Sequence, residues 1–361
     1  MALPCQETRT PNADSLTDRL LNATAQTSEG GSPGISSGSL TERMGLTDLR
    51  QLAEIEAVDY ADLAGSTVTV DFHNWLYRYL TIFAKSTDET AYTTSDGQEV
   101  ANLLGIVKGL PKFYEHELDP VFVFDGEVLE LKEDELARRR EKKQEAAERL
   151  EEAAAAGDEE AVRSLRARTQ RLTPTILETS RALFELLDVP IVDAPAEAEA
   201  QAAHMARSEI VDYVGTEDYD AILFGAPLAL RQLTSSGPPE CMDLEATLAE
   251  LGLTREQLVD IAILCGTDYN DGVHGIGPKT ALKKLSSGLT LEEVLEERDT
   301  TIEHLDAIRR IYLEPDVNDV TNIDWDWTPD LETAESYLVD EWEIPVERIE
   351  TAMDRIEAAT Q

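Results

Sequence analysis

The chain has 361 residues, enough for one large domain or two moderate ones, and 42% of them are hydrophobic, a globular composition that excludes wholesale disorder. Its 73 acidic residues against 31 Lys and Arg give a formal net charge of −42. That balance disfavours general attraction to polyanions and matches the acidic surfaces that keep proteins soluble in a salt-rich cytosol. Cys5, Cys241 and Cys265 show no paired or metal-like spacing, which excludes a disulfide framework and suggests a reducing cytoplasm; no segment reads as a signal peptide or a membrane span.

In chain order, residues 1–43 contain QTSEGGSPGISSGSL, a Ser/Gly/Pro/Thr tract without periodicity that reads as a disordered tail. Patterned sequence begins near Met44, which is also a candidate translation start. STVTVDF (66–72), DPVFVFDG (119–126), PIVDAP (190–195) and IVDYVGTEDYD (210–220) read as four strands separated by helical sequence. Apolar strands alternating with helices predict an α/β fold with a mostly parallel central sheet flanked by helices. Acidic residues collect just past the strand ends, where open α/β sheets bind their ligands.

Between the second and third strands lies a helical insert, about 132–187, broken at Gly157-Asp158, with Asp158 as an N-cap. Residues 132–171 are charged almost all round and hold 11 basic and 11 acidic residues, so the other residues carry the whole net charge. A helix without an apolar stripe either bridges solvent or touches something polar, here an arm suited to phosphate. The last third opens with an amphipathic helix in LTREQLVDIAILCGTDY, continues through NDGVHGIGPKTALKKL, and ends in acidic helical segments from about 330.

Seven acids stand out by position: Asp71, Asp125, Glu197, Glu199, Asp218, Asp220 and Asp268. Gathered together they would raise one another's pKa, and hard divalent cations relieve that strain through oxygen ligands. The sequence offers no zinc-type His/Cys set, and His73, beside Asp71, reads as a structural histidine. An all-carboxylate site suits two Mg²⁺, with Mn²⁺ able to substitute, and phosphodiester hydrolysis. In TEDYD, alternation along an extended segment would aim Asp218 and Asp220 to one side. Glu197 and Glu199 raise a puzzle: both sit in the alanine-rich DAPAEAEAQAA, with Pro195 suited to a first helical position, yet residues two apart do not share a helix face. Further along, Gly275-Ile276-Gly277 is a tight turn that feeds a helix starting at Pro278. Its backbone N–H groups suit phosphate, and Lys279, Lys283 and Lys284 are three of only nine lysines.

MGLTDL (44–49), VFDGE (123–127), APAEAEAQAA (194–203), GTEDYDAILFG (215–225) and ILCGTDYNDGVHGIGPKTAL (263–282) together resemble the flap endonuclease family of structure-specific 5′ nucleases, in its archaeal and eukaryotic branch, over residues 44–355. The resemblance implies a PIN-like nuclease fold with a helical arch and a helix-two-turn-helix element, cutting 5′ flaps at branched DNA in replication and repair. It assigns Asp71, Asp125, Glu197 and Glu199 to one metal group and Asp218, Asp220 and Asp268 to a second. It makes the charged insert the arch, with Lys132 and Arg139 as active-site bases two helical turns apart and Arg138 beside them on DNA. It implies base stacking by Tyr77, proximity of Gly45 to the site, and duplex binding by Gly275, Ile276, Gly277, Lys279, Thr280, Lys283 and Lys284, with a K⁺ at the 275–277 hairpin. The chain then divides into a tail (1–43), an N-terminal nuclease region (44–150), the arch insert (132–187), an internal nuclease region (188–265) and a helix-two-turn-helix and C-terminal region (266–361). Many family members bind a sliding clamp through a Gln followed by an apolar and aromatic cluster, which is not found in RIEAATQ (355–361). The alternatives are a sibling 5′ nuclease of the excision-repair or junction-resolving type, and a non-catalytic DNA-binding protein on the same fold. The 72-residue step from Asp125 to Glu197 matches flap endonucleases, and the presence of all seven acids argues for an enzyme.

Overall fold

The computed structural model describes residues 47–84, 92–127, 129–158, 161–162, 164–165, 169, 172–233 and 237–360. The expected tail and Gly45 lie outside them, as does the side chain of Arg139.

Among the described residues seven strands form one sheet: β1 (Glu54–Ala57), β2 (Ser66–Asp71), β3 (Leu118–Phe124), β4 (Ile191–Asp193), β5 (Tyr213–Gly215), β6 (Leu228–Arg231) and β7 (Glu240–Asp243). The order is β1-β7-β6-β5-β2-β3-β4, and only the pairings of β7 are antiparallel. The expectation of a mostly parallel sheet therefore holds. Strands β1, β6 and β7 are additions to the sequence reading. The fourth expected strand is shorter than expected: β5 stops at Gly215, and TEDYD leaves the sheet.

Side-chain alternation splits the core into two layers. Val121, Val123 and Val214 join one buried cluster with the helices Ala198–Arg207 and Arg255–Cys265. Phe122, Phe124, Val68 and Val70 face the other way, onto the helices Phe72–Ala84, Ala101–Gly109 and Pro174–Leu186. Buried apolar side chains pointing to both sides of the strands call for cover on both faces of a parallel sheet. The helix Arg255–Cys265 is buried along most of its length and so is not the amphipathic helix its sequence suggested. It starts with a capping box between Thr254 and Gln257.

Within the insert the expected break at Gly157-Asp158 is present. The helix Glu133–Ala156 ends at Gly157 in the left-handed region, and Asp158 Oδ1 accepts the Ala161 N–H at 3.0 Å. The insert differs in one respect. Ala146, Leu150 and Ala153, at helical spacing, pack against Ala161, Val162 and Leu165, so the arm has a narrow apolar seam of its own. Among the described residues no helix is long and apolar enough to cross a membrane.

Gly126 locks the two loops that carry Asp125 and Glu197. Its N–H donates to Ala196 O at 2.8 Å, and Glu127 N donates to Pro195 O at 3.0 Å. A Cβ at Gly126 would lie 2.1 Å from the Ala194 carbonyl oxygen, against backbone that cannot yield cheaply. Gly126→Ala is therefore expected to destabilise the fold by about 1–3 kcal/mol and to part the two loops. A denaturation midpoint equal to wild type would refute the close approach.

Candidate metal centre

Four adjacent strands, β4-β3-β2-β5, point their carboxyl ends into one cleft of about 870 Å³. The chain runs outward from β2 to β3 and β4, then returns to place β5 on the other side of β2. The cleft lies at this reversal, the usual ligand position in open α/β sheets. All seven expected acids line it, with Lys132 and Tyr77.

Asp71 closes β2 and is buried, its Oδ1 accepting the Asn74 N–H at 3.0 Å. Asp125 follows β3, and its Oδ1 accepts the Ala198 N–H at 2.8 Å. Each carboxylate thus has one oxygen fixed by backbone and a second left for the cleft. Thr216, just past β5, donates to Glu199 Oε1 at 3.3 Å and accepts the Asp218 N–H at 3.0 Å. Asn74 Nδ2 reaches Asp218 Oδ2 at 3.5 Å. Asp220 is the first residue of the short helix Asp220–Leu223 and is buried, with Tyr312 Oη 3.5 Å from its Oδ2. Asp218 and Asp220 converge on the cleft through a turn and a helix start, not through strand alternation as expected.

The glutamate puzzle has a conformational answer. The helix begins at Ala198, later than Pro195, and Glu197 is its N-cap with extended φ −77° and ψ 131°. The helical rule for residues two apart does not apply across that junction, so both side chains enter the cleft. Glu197 is no surface charge: its side chain is 13% exposed and accepts from Lys132 Nζ at 2.7 Å. Lys132 also lies 3.4 Å from Asp268 Oδ2, joining one acid of each expected metal group.

The electrostatics show how strained the bare cluster is. Burial first, then Asp125, pushes Asp71 up to about 8. Burial and neighbouring carboxylates likewise hold Glu199 and Asp220 well above the ordinary range. Burial alone would lower Lys132, but Glu197 and Asp268 outweigh it and keep the ammonium charged. Burial dominates at His73 and lowers it. Asp220 Oδ1 is buried without a hydrogen-bond partner, an orphaned acceptor that a cation would satisfy. Carboxylate oxygens of this kind fit a hard divalent ion.

A sign follows from Asp71. Its folded pKa lies above the ordinary carboxylate value, so the native metal-free protein retains a proton that the unfolded chain releases between about pH 4 and 8. Stability of the metal-free protein therefore falls as pH rises through that window, and cation binding displaces the proton. In chelator-treated protein the melting temperature is expected to drop from pH 6 to pH 9, with Mg²⁺ restoring more at pH 9 than at pH 6. A restoration independent of pH would contradict this coupling.

Other expected residues lie around the cleft or away from it. Tyr77 is half-buried at its wall, with Lys143 Nζ 5.1 Å from the ring centroid. Arg138 pairs with Asp271 at 2.9 Å, tying the arm to the loop after Asp268. The hairpin is separate from the cleft. Gly275 takes φ 77°, Ile276 is buried, and Gly277 caps the helix Pro278–Ser286, on which Lys279, Thr280 and Lys283 are exposed and Lys284 pairs with Glu297. The sequence reading passed over Asn74 and Thr216, which orient the acids; each lies within three residues of one.

Two family models match: the XPG N-terminal domain over residues 44–146 and the XPG I-region over residues 188–268. A Flap endonuclease 1 from Haloquadratum walsbyi is 55% identical over 316 residues, 88% of this chain and 97% of that protein. The chain belongs to the flap endonuclease family. A second haloarchaeal member, from Haloarcula marismortui, is also 55% identical, over 87% of this chain and 96% of its own length. The solved flap endonuclease-1 from Methanococcus jannaschii superposes with TM-score 0.68 at 32% identity, covering 86% of this chain and 98% of that one. Human GEN1 in complex with Holliday junction DNA, at 22% identity and TM-score 0.63 over 87% of this chain and 78% of that one, shares the fold.

Proposed function

We propose that the chain is a divalent-metal-dependent, structure-specific nuclease that cuts 5′ flaps, with 5′–3′ exonuclease activity, in Okazaki fragment maturation and repair. The observation that carries this reading is the convergence of seven carboxylates on one cleft at the foot of the charged arm. Asp71, Asp125, Glu197 and Glu199 would hold one Mg²⁺ and Asp218, Asp220 and Asp268 a second, with Mn²⁺ able to substitute. When bound, the ions supply Lewis acidity and charge neutralisation for phosphodiester hydrolysis. Lys132, kept charged by Glu197 and Asp268, steadies the scissile phosphate, and Arg139 acts beside it. Tyr77 stacks on a base of the strand, as aromatic platforms do, with Arg138 and Gly45 on the same path. The backbone of Gly275, Ile276 and Gly277, with Lys279, Thr280, Lys283 and Lys284, grips duplex phosphates, aided by a K⁺ at the turn.

The test compares labelled 5′ flap, bubble and four-way junction DNA at high KCl, with and without Mg²⁺. Flap DNA should be cut fastest, only with metal, and not by the Asp218→Ala variant. Preferred cleavage of the bubble or the junction would assign the chain to a sibling branch, and an Asp218→Ala variant as fast as wild type would remove the metal reading.

A further inference from the structure

The residues that the family resemblance assigns to metal are all carboxylates, and the sequence reading set His73 aside. The fold does not. The β2–β3 pairing ends with Asp71 opposite Val123, and just beyond it His73, in the first turn of the helix Phe72–Ala84, meets Asp125. Asp71, His73 and Asp125 each present a ligand atom, and these atoms lie within 4.8 Å of one another. The ring is held edge-on by Phe72 and Phe124, lines the cleft, and has a side-chain exposure of 19%.

The contacts of Nδ1 say what it offers. It accepts the backbone N–H of Asp125 at 3.2 Å through its one in-plane lone pair, a long bond that an ion set between the ring and the two carboxylates would displace. The same nitrogen lies 3.2 Å from Asp125 Oδ2. At that separation a ring nitrogen and a carboxylate oxygen are held together by a proton or a metal ion between them. Adjacent donors around an octahedral ion of metal–ligand distance about 2.1 Å stand about 3 Å apart. The remaining Asp125 oxygen is fixed by Ala198 N, and Asp71 Oδ1 by Asn74 N, so the backbone leaves one oxygen of each acid for the same point. Arg181, whose charge bears on His73, is engaged by Asp193 and the face of Phe124.

We propose that His73 is a nitrogen donor to the ion held by Asp71 and Asp125, and that it tilts this centre toward Mn²⁺ relative to Mg²⁺. Imidazole favours transition ions, whereas carboxylate sets are the usual home of Mg²⁺. The proposal rests on reading this cleft as a metal centre. Among its described lining residues His73 is the sole histidine.

The experiment binds Mn²⁺ to the full-length metal-free protein and reads it by pulsed electron paramagnetic resonance. Bound Mn²⁺ should show imidazole ¹⁴N modulation, which ¹⁵N-histidine labelling should shift. His73→Gln should abolish it and weaken Mn²⁺ by roughly tenfold or more, with a smaller loss for Mg²⁺ measured by competition. Bound Mn²⁺ without nitrogen modulation in wild type overturns the role of His73 and leaves the carboxylate centre standing. Failure of wild type to bind Mn²⁺ overturns the metal-centre reading together with it. The wild-type spectra decide the matter even if the variant folds poorly.

Discussion

Asp220→Asn is expected to slow flap cleavage by roughly 10³-fold while raising the melting temperature of the metal-free protein. The carboxamide keeps the shape of the side chain and removes its charge. Losing one carboxylate from a metal group forfeits several kcal/mol of transition-state stabilisation, which sets the size of the kinetic effect. The stability change has the opposite sign because Asp220 is buried, repelled by Asp218 and Asp268, and leaves Oδ1 without a partner. Relief of such a group is worth on the order of 1–3 kcal/mol. Functional sites commonly hold destabilising groups of this kind. A variant that cuts within a few-fold of wild type would take Asp220 out of the metal set, and one that loses activity and melting temperature together would point to misfolding.

Lys132→Ala is expected to cost about 10²-fold in cleavage rate, with flap affinity changed far less. Here stability should fall. Removing the ammonium leaves Glu197 and Asp268, which it contacts at 2.7 and 3.4 Å, facing each other across the cleft without compensation. The lost stability should return when Mg²⁺ is added, because the ion neutralises the same acids. Melting curves of the two variants with and without Mg²⁺ therefore separate the residues: Asp220→Asn is the more stable when metal-free, Lys132→Ala the less. A Lys132→Ala variant that Mg²⁺ does not rescue would show that the lysine holds the fold together in some other way.

Much of this site was legible because its residues follow strands rich in β-branched and aromatic residues. STVTVDF and DPVFVFDG announce both their strand and its end, and the acid falls where the run stops. What escaped the sequence depends on pairing. Strands β1, β6 and β7 are four residues each, EIEA, LALR and ECMD, too short for their patterning to stand out. They become strands by pairing, β6 on β5 and β7 between β6 and β1. The Glu197–Glu199 pair looked ill-matched because Pro195 suggested too early a helix start, and three residues of difference changed where a side chain points. His73 carried no motif. Its closeness to Asp125 exists only through the register of β2 on β3, which joins residues 52 apart in sequence. On the arm, alanines read as filler among charges, and the 146–150–153 spacing stood out only once a second limb lay against it.

That seam bears on the conditions implied by so acidic a chain. The arm's 11 positive and 11 negative side chains are its most conspicuous feature in sequence, but at molar salt the Debye length is about 3 Å and exposed pairs lose most of their attraction. Contacts among Ala146, Leu150, Ala153, Ala161, Val162 and Leu165 are not screened. They form a third cluster, apart from the two that grip the sheet. The arm can thus open as a local unit at far lower free energy than global unfolding, and its amides should lose hydrogen-exchange protection well before those of β2 and β3. In brine the closure of the arm upon itself is set by six apolar side chains and not by the charges around them.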